Sequence, residues 1–561
     1  MQQVRPLLAA ILTFAIAGTT VAQNEINREE PGFGLDPRVS KSPVAPILPG
    51  MGTHSLPVTT SSKEAQRFFD QGLALTYAYN HAEAKRSFQE AARLDPNCAM
   101  AYWGWALVLG PNLNLPMMPD AVDEAYWAIQ QANKHLDGTS AKEKAFIEAL
   151  TTRYSKKAVD DRMSFDIAYH EAMKEVYAAY PGDADVASLY AATIMNLSPW
   201  NYWTKDASPR QRTQDAMAVL KKTVEAHSNH AGALHYYVHL VEEHYPELAE
   251  VSADSLIKVM PGSGHLLHMP SHIYMRVGRY ADAFESNRLA VLADEGYITA
   301  CREQGLYPAG YYPHNIHFQA WAAQREGRSD EALKASFKVG NKARESAELG
   351  QTWALHQSFY SMPYYTLVRF GKWDEMLRQP PPPKTHIFAR GVFHMGRGLA
   401  YIEKGQSQKA SKELAMLRKV VGNKLAAEEF VGFSNAQTVL KIAENVLAGE
   451  LALAGNRDKQ ALELLSTATR LEDSLMYNEP PDWLLPTRHN LGNALLEMGK
   501  PAEAETVYWE DLKRNPDNGY SLFGLHNALV AQEKSGDAEL VKGRFDDAWA
   551  KADVQLTSSR Y

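Results

Sequence analysis

From Ser61 to about Ala550, apolar positions recur at the three- and four-residue intervals of amphipathic helices, and strand-type alternation is absent. In Phe68-Phe69-Asp70-Gln71-Gly72-Leu73-Ala74-Leu75, followed by Ala84, Phe88, Ala91 and Asp95-Pro96, small and large apolar residues are spaced to pack one helix pair onto the next. The same grammar returns at Ser271, Tyr274, Gly278, Ala283 and Ala290 and at Gly398, Tyr401, Gly405 and Ala410. It is found again at Ala448, Leu451 and Gly455 and at Gly492, Leu495, Gly499, Ala504 and Pro516. A pattern that repeats in this way predicts an array of helix pairs, each burying its apolar face against its neighbours.

These positions resemble the tetratricopeptide repeat, a helix-turn-helix unit of about 34 residues. The resemblance covers most of the chain from Ser61 to about Ala550, with clear units at Ala65 to Pro96 and Leu485 to Pro516. It implies an all-α fold, a tetratricopeptide-type α-solenoid of stacked helix-turn-helix pairs, roughly ten or more in number. A fold of this kind does not by itself imply a chemistry.

Before the repeats, Met1 to Arg5 carries one positive charge, Pro6 to Ile16 is an apolar run, and Thr20-Val21-Ala22 ends in small residues. Residues 1–22 read as a secretory signal, so the mature chain is expected in a periplasmic or secreted setting. Residues 23–60 are rich in Pro and Gly and read as a loosely ordered leader. The repeats then divide into an N-terminal solenoid over 61–379, a proline-rich connector over 380–384 and a C-terminal solenoid over 385–561, since Pro380 to Pro383 is stiff and extended. Cys98 and Cys301 allow one bridge or two buried thiols. With 45% hydrophobic residues and a net charge of -8, the chain has ample material for a core and no basic groove for nucleic acid. No segment after the signal is apolar for the roughly 18 residues a membrane span needs.

Candidate chemistry gathers at the middle of the array. His265, His268 and His272 precede Gly278 by thirteen, ten and six residues, and His314 and His317 precede Gly327 by thirteen and ten, with Trp321 at the remaining offset. On a helix advancing about 100° per residue these offsets fall within roughly 60° of one another, away from the packing positions. They therefore mark the face that lines the concave groove in the repeat family. The preceding unit offers His235 and His239, four residues apart and able to share one ion, although one residue out of register with the other two units. Glu242 and Glu243 follow on the same helix as candidate proton carriers. Ten of the nineteen histidines lie between His227 and His317.

Imidazole ligands suit copper and zinc, then iron. The strings from His265 to Arg276 and from Tyr311 to Phe318 are similar to those of a group of long exported bacterial tetratricopeptide proteins, which implies a shared central site without assigning an activity. Trp200, Tyr202 and Trp203 form an aromatic loop that could wall a pocket, and Arg276 and Arg302 could clamp a carboxylate or phosphate. Phosphate loops, His-Glu-x-x-His helices and nucleophile elbows are missing. Three functions remain open. The first is a scaffold whose histidine-lined groove holds a transition metal or metal-bearing ligand together with a protein, peptide or small-molecule partner. The second is a histidine-ligated metalloenzyme, an oxidoreductase or hydrolase. The third is a pure interaction scaffold in which the histidines are polar core.

Overall fold

The structure, a computed structural model, describes residues 38–301, 307–348 and 354–561. The expected secretory signal, the first part of the leader and Arg302 lie outside the described residues. The described chain is almost entirely helical, with one two-residue hairpin, Phe430–Val431 paired antiparallel to Ser434–Asn435. The fold is all-α, and consecutive helices pack as helix-turn-helix pairs.

Close packing within and between pairs rests on small residues. The Phe88 ring lies where a Cβ on Gly72 would sit at 2.7 Å, and it also fills the space beside Gly104. Tyr508 occupies the same place between Gly492 and Gly524. Residues 72, 88 and 104 keep the spacing of residues 492, 508 and 524, so one aromatic side chain from the second helix of a pair seats against a glycine on each flanking first helix. The turns are equally regular. Gly278, Gly327, Gly405 and Gly499 take φ of +84°, +68°, +70° and +70°, a region that favours glycine. At each, the next residue's N–H reaches back five residues: Arg279 to Tyr274, Arg328 to Ala323, Gln406 to Tyr401 and Lys500 to Leu495, at 2.7–3.0 Å. This is the Schellman ending, which satisfies a carbonyl left over at the helix terminus.

The chain forms two compact units. One comprises Glu25–Ile273 and Leu289–Tyr307, and the other, among the described residues, Tyr274–Arg288 and Pro308–Tyr561. The four-proline run expected to separate two solenoids lies inside the latter unit.

The part of the leader within the described residues is not loosely ordered. Val39, Ala45, Leu48 and Leu56 are buried. The extended backbone donates to side chains of the helices it crosses, from Val44 to Glu90 (3.0 Å), Leu48 to Gln71 (2.7 Å), Leu56 to Asp70 (3.2 Å) and Thr59 to Glu143 (2.6 Å). Proline and glycine keep this strand out of a helix, while helix side chains satisfy its N–H groups in place of a sheet. Cys98 is a buried thiol and is not bridged to Cys301.

Candidate metal centre

Five of the predicted histidines, all within the Glu25–Ile273 unit, come together. His235 and His239 lie on the helix Ala231–Val241, every residue of which is buried. His265 and His268 lie on Gly264–His268, and His272 on Pro270–Val277. The break at Met269 follows from Pro270, which has no N–H and begins the next helix. Gly264 is needed at the start of the first, because a Cβ there would overlap the buried Asp294 carboxylate, itself held by the Tyr307 hydroxyl at 2.7 Å.

Hydrogen-bond partners settle which ring nitrogens face inward. His235 Nδ1 lies 2.6 Å from the Tyr77 carbonyl, which can only accept, so Nδ1 carries the proton and Nε2 presents a lone pair. His268 Nδ1 faces the Ser271 hydroxyl at 3.4 Å. That hydroxyl gives its hydrogen to the His268 carbonyl at 2.7 Å and so accepts from the ring. Glu242 is buried, with Oε2 3.4 Å from His239 Nδ1 and 3.6 Å from His272 Nδ1. A carboxylate near the Nδ1 side of two rings is the kind of neighbour that supports metal-ligating imidazoles.

The inward nitrogens are close. His235 Nε2 is 3.2 Å from His265 Nε2, and His268 Nε2 is 3.0 Å from His272 Nε2. His235, His239 and His265 each offer a ligand atom within 4.8 Å of the others. A tetrahedral cation with metal–nitrogen bonds of about 2.0–2.1 Å sets its ligands about 3.3 Å apart, so these spacings fit a metal. Burial pushes the His235, His239 and His265 imidazoles well below their ordinary pKa, and neighbouring histidines push the same way. His272 is lowered by burial with Glu242 opposing. The rings are thus neutral, as ligation requires.

Two aromatic residues clamp this group. Tyr79 stacks on His239 with centroids 6.1 Å apart and lies 4.6 Å from the His235 ring, while Trp200 meets His239 edge-on at 5.2 Å. Both have positive φ, 52° and 59°, uncommon for bulky side chains and costing on the order of 1–3 kcal/mol each. Trp203 fastens the aromatic loop by donating from Nε1 to the Leu240 carbonyl at 2.8 Å. The Tyr202 hydroxyl is buried and has no hydrogen-bond partner. Tyr79 also lines a small cavity with His81, Asn112, Arg153, Tyr169 and Tyr236.

Several expectations are corrected. The five histidines are between 0% and 6% exposed, so they do not line an open groove; the helix Ala231–Val241 is enclosed on all sides. Glu243 turns to His244, 3.2 Å away, and only Glu242 faces the cluster. These corrections do not extend to His314, His317, Trp321 and Arg276, which are described within the other unit. There His314 meets Phe318 at 5.0 Å, and His317 meets Phe359 at 5.4 Å, its pKa lowered by burial to about 3. Trp321 is buried, with the Arg325 guanidinium 5.7 Å from its ring centre. Arg276 is taken up by Glu479 at 3.9 Å and by the Tyr477 ring at 5.7 Å.

A second group was not foreseen. Asp185 Oδ1 accepts from Tyr77 Oη at 2.6 Å, His54 Nε2 at 2.8 Å and His230 Nε2 at 3.1 Å. His230 Nδ1 accepts from the Ala233 N–H at 3.1 Å, so its Nε2 carries the hydrogen, and the group is a hydrogen-bond hub rather than a metal site. Against burial, His230 and His54 hold the Asp185 carboxyl well below the usual range. Tyr77 joins the two groups, its hydroxyl on Asp185 and its carbonyl on His235.

No protein-family model matches the chain, and no curated protein matches it. Among solved structures it is similar to a chain of the APC/C hetero-tetramer Cut9–Hcn1 (12% identity, 87% of this chain and 74% of that chain, TM-score 0.28). It is also similar to human IFIT1 in a dimer with m7Gppp-AAAA (11%, 87% and 90%, 0.31) and to yeast Tom70 (12%, 86% and 92%, 0.27). Likeness at this level carries no argument about chemistry. No helix among the described residues is long and apolar enough to cross a membrane.

Proposed function

We propose that this chain is a metal-binding helical-repeat protein that holds a transition-metal ion on His235, His239 and His265, zinc or copper ahead of iron. The observation that supports this most is the pattern of outer contacts. Tyr77 holds the Nδ1 of His235 and Ser271 faces that of His268, while the Glu242 carboxylate stands beside the Nδ1 atoms of His239 and His272 at 3.4 and 3.6 Å. The ligand atoms of His235, His239 and His265 converge within 4.8 Å of one another, which brings three imidazoles within reach of one ion. The chain is read as exported from its first 22 residues, and the outer helix faces as the surface for a protein or peptide partner.

A second reading, an oxidoreductase or hydrolase, is favoured by the cavity that shares Tyr79 with the histidines. A histidine-bound ion with an open position supplies a polarised water or a redox couple. In that reading Glu242 holds or passes a proton, and the Tyr202 hydroxyl is a donor in reserve.

Elemental analysis of the purified chain, beside a His235→Ala/His239→Ala variant with a native circular-dichroism spectrum, tests the proposal. Bound zinc, copper or iron that is lost in the variant supports it. A metal-free protein that also takes up none of these ions on dialysis refutes it. Oxygen-consumption and ester-hydrolysis assays on the loaded protein then separate binding from catalysis.

A further inference from the structure

We infer that Arg325 and Arg369, with Trp321 beside them, form a buried site for a small, multiply charged oxyanion, inorganic phosphate being the simplest. The site lies within the unit of Tyr274–Arg288 and Pro308–Tyr561 and is independent of the metal-binding reading. Its ground is a position that the repeats share. Arg276, Arg325 and Arg369 each stand two residues before a turn glycine of positive φ: Gly278, Gly327 and Gly371, at +84°, +68° and +60°. Equivalent positions of successive helix pairs are neighbours in a repeat array, so like charges are set side by side.

What answers these charges differs along the chain. Arg276 meets Glu479 at 3.9 Å. In later repeats the same offset holds Glu403 before Gly405 and Glu497 before Gly499. There Arg560 supplies the opposite charge, reaching Glu450 at 2.6 Å and Glu497 at 3.2 Å. Arg325 and Arg369 are only 4% and 3% exposed, and among the described residues neither forms an ion pair. Arg369 Nη1 donates to His489 Nδ1 and to the Arg560 carbonyl, both at 3.3 Å, and the guanidinium lies 4.1 Å from the centre of the Tyr520 ring. Arg325 rests 5.7 Å from the centre of the Trp321 ring, and neither its Nη1 nor Trp321 Nε1 has a hydrogen-bond partner. His317, Trp321 and Arg325 follow at four-residue intervals on Tyr312–Arg325 and share one face, where both His317 ring nitrogens also lack a partner.

The buried carboxylate that both guanidiniums feel is Asp511, and it is already engaged. Its Oδ2 accepts from His489 at 3.1 Å, Asn518 at 3.0 Å and Ser521 at 2.7 Å. Burial pushes the Arg369 guanidinium down to about 10, and Arg325 pushes the same way against Tyr520 and Asp511. A single carboxylate facing two guanidiniums leaves this interior with excess positive charge, which is costly to bury uncompensated. An oxyanion answers both demands: its oxygens accept from the guanidinium forks and the indole N–H, and its charge offsets theirs. The depth of burial fits a small ion or molecule and not a peptide or a nucleic-acid strand.

Equilibrium dialysis of the full chain against radiolabelled inorganic phosphate, with chloride holding the ionic strength, tests the inference. The expected result is about one phosphate per chain, with affinity lowered about 10–100-fold in Arg325→Met and in Arg369→Met and kept in Arg288→Met, since each buried arginine removes a charge-assisted hydrogen bond. Arg288 is an arginine of the same unit, paired with Glu285 at 2.6 Å outside the buried site. No retained phosphate, or equal retention by the native chain and all three variants, overturns the inference. Should the buried-arginine variants fail to fold, competition on the native chain decides. Sulfate, of the same shape, should displace the label, and chloride at equal ionic strength should not; displacement by chloride overturns the site.

Discussion

Glu242 and Glu243 are adjacent in sequence and opposed in surroundings, which makes them their own control. Glu242 is buried with one oxygen on the Nδ1 side of two histidines, at 3.4 and 3.6 Å, whereas Glu243 faces His244 at 3.2 Å. Glu242→Gln keeps the shape and removes the charge that orients both rings. Loss of one outer-shell partner costs about 10–100-fold in metal affinity. With two ligands supported by one carboxylate, the upper end is expected, about 100-fold, which is about 2.7 kcal/mol at 1.36 kcal/mol per decade. Glu243→Gln should change affinity by less than about twofold, since its half-buried carboxylate faces His244 and not a ring of the cluster. Competition with a fluorescent zinc chelator reads both constants under one set of conditions. Equal losses in the two variants, or no loss in Glu242→Gln, would refute the placement of Glu242 behind the ligands.

Two predictions concern the scaffold. Gly72→Ala puts a Cβ 2.7 Å from the Phe88 ring, which Gly104 confines from its other side. The overpacking cost of about 1–3 kcal/mol should exceed the helix-propensity gain of about 1 kcal/mol. Gly543→Ala, on Ser535–Ala548 with nothing within 4 Å, should instead stabilise by about 0.5–1 kcal/mol, and urea unfolding that gave both the same sign would contradict the packing account. The third concerns pH. Burial raises the Glu479 carboxyl from 4.5 to about 8, with Arg276 opposing. The folded state then binds more protons than the unfolded one across that interval. The contribution is complete below about pH 4.5 and is lost as pH rises through 8, by roughly 5 kcal/mol in all. Glu479→Gln should flatten that slope in unfolding curves taken from pH 5 to 8, and parallel slopes would show that another group titrates.

The repeat was legible because its signals are local. A glycine that must take positive φ and an aromatic that must meet two glycines leave a fixed spacing in the chain, visible at Gly278 and Gly499 and around Phe88 and Tyr508. The histidines were legible for a weaker reason. Counting back from Gly278 treats His265 to His272 as one helix, whereas the chain breaks at Met269, yet the three still converge with His235 and His239 despite the register offset. What supports them was not legible. Tyr77 and Tyr79 come from the first pair, more than 150 residues before His235, and no periodicity links them. Glu242 and Glu243 are indistinguishable in sequence because helix phase at a terminus depends on the last turn. A histidine face also reads alike whether it lines a groove or is enclosed, and here the neighbouring helices and the extended leader decide for enclosure.

Enclosure governs exchange as well as affinity. His235 and His268 have no exposed surface, and the helix that carries His235 is buried along its whole length. An ion seated among them can be traded only when part of the wall lifts, so the escape rate is that of local opening. Tyr77 belongs to that wall, and its side chain is secured through Asp185 to His54 of the leader. On the metal-binding proposal, a residue near the start of the described chain would help set how long a cation remains inside, and a chelator in large excess would draw the metal out at a pace independent of chelator concentration.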